Sequence, residues 1–223
     1  EVMSRFAANP RWLIYLPPTM SPSETTQEPG LLEHPAEAFA YYRRHGVERV
    51  VCEQKHMGSR AVVIVCRDET VAEKRFGVQG EGAGICYTRT GRRFFDDAAL
   101  EGEFLARVRG ALDASGFWQE FNTEWACLDC ELMPWSAKAQ ELLRQQYAAV
   151  GAASRVGLSA VNTVLQQVTA RGIDLGALPV RYQERATMAD QFVTAYRQYC
   201  WPVQSIADLK LAPFHLLATE GAV

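Results

Sequence analysis

The sequence predicts an α+β fold in which a helical segment interrupts a set of strands, and three observations carry that prediction. Apolar runs of strand length recur at 61–66, 85–88 and 124–135. From Ser136 to Cys200 the composition shifts to alanine, glutamine, leucine and arginine at helical spacing. Strand character returns at 205–218, so residues 136–202 read as a helical module inserted into a sheet domain made of 1–135 and 203–223.

The elements follow in order. Residues 10–18, bounded by prolines, read as a short edge strand or a lead-in arm, followed by a polar loop over 19–30. Pro35 suits the first turn of a helix over 34–42, with Arg43 and Arg44 at its end and Gly46 as its stop. That helix delivers the chain into a strand over 47–51, a polar turn over 52–60, and a buried strand over 61–66. A charged turn spans 67–73. Gly77, Gly80, Gly82 and Gly84 then fit neither a P-loop nor a dinucleotide fingerprint and read as a mobile loop ahead of the strand 85–88. Thr88 to Phe95 reads as a hairpin turning at Gly91, with arginines on its arms. Phe104, Leu105, Val108, Ala111 and Leu112 set a helix over 100–112 that stops at Ser115-Gly116.

The run 124–135 is mostly apolar and reads as a central strand buried on both faces. Asp129 and Glu131 lie two apart within it and so share a face, where an unpaired carboxylate costs several kcal/mol. A ligand, a metal or basic partners must answer them; for Asp129 a salt bridge to an arginine of the hairpin is the purely structural alternative. Three helices are predicted at about 137–149, 159–171 and 183–198, separated at Gly151, Gly172 and 174–179. There is no internal repeat and no low-complexity tract.

Composition sets further bounds. With 223 residues, 48% hydrophobic and 22% charged, the chain can build one substantial core or two small ones. A net charge of −3 argues against a uniformly basic nucleic-acid coat, although Arg89, Arg92 and Arg93 form a local cluster able to grip phosphates. The six cysteines fall largely in apolar, strand-like segments, the pattern of buried thiols in a reducing cytoplasm without a structural disulfide. Cys127 and Cys130 form a C-x-x-C, but no second Cys or His pair follows at zinc spacing. No contiguous apolar run approaches the ~18 residues of a membrane span, and no signal peptide precedes the first strand, so no membrane contact is expected. Neither Glu1 nor Val223 sits in a terminating pattern, and a longer parent chain is expected.

The stretch Cys52 to Arg60 organises the rest. A single lysine beside an apolar wall can have its amine freed as a nucleophile by desolvation or neighbouring cations, and Lys55 occupies that position; an ordinary solvated lysine looks the same locally. Gly58 would let a ligand's phosphates approach the backbone. The pattern Lys55-x-x-Gly58-x-Arg60 between two strands resembles the signature of covalent nucleotidyltransferases, the superfamily of ligases and capping enzymes. Met57 stands where DNA ligases carry aspartate, which brings the pattern closer to the RNA-sealing branches. The full succession KHMGSR, CYTRTGRRFF, LDCELMPWSAKA, a helical stretch, YCWPV and KLAPFHLLATEG resembles the ligase (adenylyltransferase) domain of bacterial polynucleotide kinase-phosphatase over nearly the whole chain.

That resemblance implies an antiparallel, ATP-grasp-like nucleotidyltransferase sheet with an inserted helical module, and it implies roles. Lys55 would attack the α-phosphate of ATP and hold AMP through a phosphoramide bond. Arg60 would bind ribose or phosphate, Glu53 or Gln54 the adenine amine, and Glu131 the ribose hydroxyls or a metal-bound water. Phe214 would stack on adenine, with Arg89 and Arg92 available to neutralise the triphosphate. Mg2+ or Mn2+ would accompany ATP. The implied partners are RNA ends, a Hen1-type 2′-O-methyltransferase, and kinase and phosphatase domains of the same polypeptide. The family's later glutamate and final lysine pair do not appear in these 223 residues, which implies poor adenylylation by this stretch alone. Two other readings remain open: a non-catalytic nucleotide- or RNA-binding module, and a GTP-using capping-type nucleotidyltransferase.

Overall fold

In the computed structural model, which describes residues 7–17, 24–31 and 34–221, four strands form one antiparallel sheet in the order β2-β1-β3-β4. They are β1 (Ser59–Cys66), β2 (Gly84–Thr88), β3 (Trp125–Met133) and β4 (Lys210–Thr219). The helices are α1 (Pro35–Arg44), α2 (Glu69–Phe76), α3 (Ala98–Ala114), α4 (Phe117–Glu120), α5 (Gln140–Ala170) and α6 (Leu178–Arg197). The fold is α+β, as the sequence predicts, and α5 and α6 fall between β3 and β4 in chain order.

The central strands separate two cores. On one face Val62, Ile64 and Cys66 of β1 pack with Tyr87, Trp125 and Cys127 beneath Trp12, Phe76 and Val71. On the other, Ala61, Val63 and Val65 pack with Cys86, Leu128, Cys130 and Leu132 beneath Phe95, Phe104 and Trp118. Strict alternation therefore places successive residues of β1 in different cores, and a slip of one residue would exchange both.

Residues 10–12 form a 3-10 turn, Pro10–Trp12, instead of the expected edge strand. Asn9 caps it by accepting from the Arg11 amide, and Pro10 presets the turn's φ. Trp12 is fully buried, 4.8 Å from the Phe76 ring, and its Nε1 donates to Glu81 at 3.0 Å. The lead-in arm thus plugs the first core and ties down the 80–84 loop, which the sequence read as mobile. Pro18 and residues 19–23 of the expected polar loop lie outside the described residues.

The expected charged turn over 67–73 is largely helical: residues 69–76 form α2. Asp68 caps it through Oδ1 to the Val71 amide at 2.9 Å, and Val71, Ala72 and Phe76 fill the buried side. Three apolar positions among charged residues give too short a periodic signal to see in sequence. The opposite failure occurs at 47–51, where no strand forms and Val51 is 84% exposed. Both edges of β1 are already taken by β2 and β3, so a preceding strand cannot pair with β1 as a hairpin.

The helical stretch holds two long helices where three were expected. α5 runs through Gly151 without a break, carrying a π-helical section over Leu143–Ala148. Gly151 faces α6: a Cβ there would lie 2.7 Å from Val193 Cγ2. By length and composition α5 could cross a bilayer, so the expectation of no span-length apolar stretch holds only for contiguous runs; Arg144 and Arg155 interrupt it. The helix packs on α6 through Tyr147 stacked on Phe192 and through Arg155 Nε on Asp190 at 2.6 Å.

Two glycines of α5 make the packing testable. A Cβ added at Gly157 would meet nothing within 4 Å, so Gly157→Ala gains helix propensity and should stabilise by about 0.5–1 kcal/mol. Gly151→Ala meets the stiff, buried Val193, and overpacking of about 1–3 kcal/mol should outweigh that gain. Urea unfolding of the two variants should shift in opposite directions.

Candidate functional site

The first face of the sheet changes character along its length. Along β3, Trp125 and Cys127 are core, whereas Asp129 and Glu131 are carboxylates; on β1, Cys66, Ile64 and Val62 are core and Arg60 is the polar end. Trp12, Phe76 and their neighbours cover the apolar part, and toward the polar end Arg60 and Glu131 become partly exposed while Asp129 stays buried beneath Arg60. Antiparallel register brings Arg60 opposite Glu131, Val62 opposite Asp129, Thr88 opposite Ala61 and Lys210 opposite Met133. The start of β1, the end of β3, the hairpin after β2 and the start of β4 thus meet at one end of the sheet.

Asp129 is completely buried, and Arg60 answers it with a forked contact: Nε donates to Oδ1 at 2.9 Å and Nη2 donates to Oδ2. The partner is therefore a residue of the neighbouring strand and not the expected hairpin arginine. Arg93 of that hairpin instead pairs with buried Glu101 at 2.9 Å and approaches Glu81 at 3.6 Å. The hydrogen bond to Asp129 raises the Arg60 pKa further and keeps the guanidinium charged. Its central carbon lies 5.2 Å from the centre of the Phe214 ring, so β4 contributes an aromatic face to the same cluster.

Glu131 is partly buried, and its Oε1 accepts from the Gly58 amide at 2.9 Å. Desolvation pushes its pKa up, opposed by that hydrogen bond and by the positive charges of Lys55 and Arg60. Gly58 also meets a constraint that the sequence does not show: a Cβ there would lie 2.5 Å from the Leu132 carbonyl oxygen, so the backbone of β3 leaves no room for a side chain.

The remaining predicted residues are less closely joined. Lys55 is exposed on the segment 47–57, near enough to Glu131 to favour its charged form. Glu53 and Gln54 are exposed on the same segment. Arg89 and Arg92 lie in the hairpin, whose turn is closed by Thr88 and Arg92 backbone atoms at 2.7 Å, at the same end of the sheet. Sequence reasoning missed the Gly58–Glu131 bond and the identity of the Asp129 partner, since both depend on β1–β3 register. Among the described residues no three His, Cys, Asp or Glu side chains converge on a metal position. Cys127 and Cys130 belong to opposite cores, and burial pushes the Cys127 thiol up to about 12, which rules this pair out as one chelating site. A cleft of about 530 Å³ lies elsewhere, between the 80–84 loop and α3, and its lining includes the acids Glu69, Glu81, Asp96 and Glu101 with Arg93 and Arg109.

An antiparallel sheet with a lysine-bearing segment, an acid on the facing strand and an aromatic on the next defines an α+β nucleotidyltransferase-like fold. The chain belongs to the PNKP adenylyltransferase domain (ligase domain) family, whose model matches residues 1–223. Two similar solved structures are described as the Pnkp1/Rnl/Hen1 complex and the Pnkp1/Rnl/Hen1 RNA repair complex. The first has a TM-score of 0.56 at 18% identity over 90% of this chain and 55% of that one. The second has a TM-score of 0.61 at 17% identity over 93% and 56%. This chain therefore spans little more than half the length of these neighbours. No curated protein matches.

Two outcomes follow from the electrostatics. Removing Arg60 leaves a fully buried carboxylate, whereas removing Asp129 leaves an arginine whose side chain is 21% exposed and can turn to water. Arg60→Ala should cost about 3–5 kcal/mol, and Asp129→Ala should cost measurably less, by urea unfolding. Glu131 has a folded pKa above its unfolded value of 4.5. Its contribution to stability is complete below pH 4.5 and is lost as pH rises through the raised folded pKa. Glu131→Gln should remove that segment of the stability profile, measured from about pH 4 to about pH 7.

Proposed function

We propose that this chain is the ATP-dependent adenylyltransferase of an RNA-sealing repair enzyme. The observation that carries the reading is the convergence of the Lys55-to-Arg60 segment with Asp129, Glu131 and Phe214 at the polar end of one sheet face. In the first step the Lys55 amine attacks the α-phosphorus of ATP. A phosphorus–nitrogen bond forms, the bond to the bridging oxygen breaks, pyrophosphate leaves, and the amine's proton passes to solvent. An oxygen of an RNA 5′-phosphate then attacks the same phosphorus, a phosphoanhydride bond forms, the phosphorus–nitrogen bond breaks, and the departing lysine amine takes up a proton from solvent.

Arg60 carries fixed positive charge beside the reacting phosphate, because Asp129 holds its Nε and Nη2 and leaves the rest of the fork for a ligand. Phe214 offers a flat apolar face for adenine. Glu53 or Gln54 reads the adenine amine, and Arg89 and Arg92 meet the triphosphate from the hairpin. The Mg2+ or Mn2+ that would accompany ATP would be held chiefly by triphosphate oxygens and water, since among the described residues no three His, Cys, Asp or Glu side chains converge on a metal position. RNA ends and a Hen1-type methyltransferase are proposed partners by extension from the neighbours' Pnkp1/Rnl/Hen1 RNA repair assemblies, and kinase and phosphatase domains of the same polypeptide are proposed from the family resemblance alone.

Incubation of the full-length enzyme with labelled ATP and magnesium should place label on the protein through an acid-labile, alkali-stable bond, with less label expected on residues 1–223 alone. Lys55→Ala should lower that label by at least ~100-fold, as expected for loss of a nucleophile. Labelled GTP should give no adduct. Retention of the adduct in Lys55→Ala would overturn the assignment, and preference for GTP would point to capping chemistry.

A further inference from the structure

Lys55 lies on a segment that the sheet does not hold. Residues 47–57 make no ladder and are almost entirely exposed, and α1 before them has no buried residue. Pairing begins at Ser59 opposite Leu132. The nearest point fixed to the sheet on the carboxyl side of Lys55 is therefore Gly58, three residues on. Two features fix it. Its amide donates to Glu131 Oε1 at 2.9 Å, and its missing Cβ permits the backbone to lie where a side chain would come within 2.5 Å of the Leu132 carbonyl.

Three residues span at most about 10 Å when extended, so anchoring Gly58 confines the Lys55 backbone to a short arc above the sheet end. A reacting amine must reach its target to within a few tenths of an ångström, and a tether of this length is a large part of that restriction. Among the described residues, Glu131 is the only side chain hydrogen-bonded to the segment 56–58. It is also directly opposite Arg60, so one carboxylate ties the position of the lysine to the position of the arginine.

We propose that Glu131 is a positioning residue for Lys55, acting through the Gly58 amide, and that Gly58 is required because its backbone docks against β3. The inference rests on Lys55 as the nucleophile for its kinetic consequence, but the docking itself is independent of ATP. It differs from a ribose or metal-water contact by Glu131, which would act on bound nucleotide and leave the empty protein unchanged.

The test has an arm for each. In nucleotide-free protein, hydrogen exchange of the Gly58 amide should quicken by about tenfold or more in Glu131→Ala, the loss expected for one bond to a charged acceptor. In Glu131→Gln, which keeps an acceptor oxygen at the same place, exchange should stay within about threefold. At saturating ATP, the single-turnover rate of adduct formation should fall in Glu131→Ala and in Gly58→Ala, and the double variant should be no slower than the worse single one. Circular dichroism confirms that each variant is folded, and Gly58→Ala supplies the docking test if Glu131→Ala is not. Unchanged exchange in Glu131→Ala, or effects of the two substitutions that multiply, would overturn the proposal. If wild-type protein forms no adduct at Lys55, the nucleophile assignment fails while the exchange result still decides the docking.

Discussion

A carboxylate shut off from water costs several kcal/mol unless another group answers its charge, and Asp129 sits fully buried in the middle of the sheet. Arg60 answers it from the adjacent strand through two donors, and that pairing couples the architecture to the site. It holds β1 and β3 in one register, since Val62 is opposite Asp129 and Arg60 opposite Glu131. It also orients the guanidinium beneath Phe214. Replacement of the pair by apolar residues could serve stability equally well. What apolar residues could not supply is the charge that Arg60 presents beside Glu131 and Phe214.

The same face shows why the site is where it is. Trp12 and Phe76 cover Val62, Ile64 and Cys66, where burial is favourable, and the cover stops where the strands turn polar. Tyr87 marks the boundary, with its hydroxyl donating to the Tyr15 carbonyl at 2.8 Å. Past that point the sheet presents Arg60, Glu131 and the bulged part of β4, whose register shifts between Cys127 and Leu128 and between Asp129 and Cys130. The bulges lie next to Phe214 and re-aim that strand's side chains, a common use of the irregularity near functional sites.

Much of this was legible in the sequence. The strands at 61–66, 85–88 and 125–133, the helix ending at Ser115 and the return of strand character after 205 all follow from apolar pattern and punctuation. The failures have physical causes. Gly151 looks like a stop, yet it serves interhelical contact with Val193, which single-sequence reasoning does not contain. Residues 47–51 have strand composition, but pairing is decided by which edges are free, a property of the whole sheet. Pro10 to Trp12 carries an apolar pattern that a capping asparagine converts into a turn. At the site, residue types at Lys55, Arg60, Glu131 and Phe214 were readable through family resemblance, whereas Arg60 with Asp129 and Gly58 with Glu131 depend on register across 69 and 73 residues of chain.

The Glu131 carboxylate concentrates two opposing demands. Partial burial makes its charge unfavourable, while the Gly58 amide, Lys55 and Arg60 favour it. A carboxylate placed deeper would lose its charge, and one placed on the open surface would hold the amide weakly against competing water. Its half-buried position at the end of a central strand satisfies both demands. The rigid sheet supplies the fixed point, and the unpaired segment carrying Lys55 retains the freedom to approach a phosphate. On the proposed mechanism, the reach of Lys55 is then limited by a contact three residues away from it.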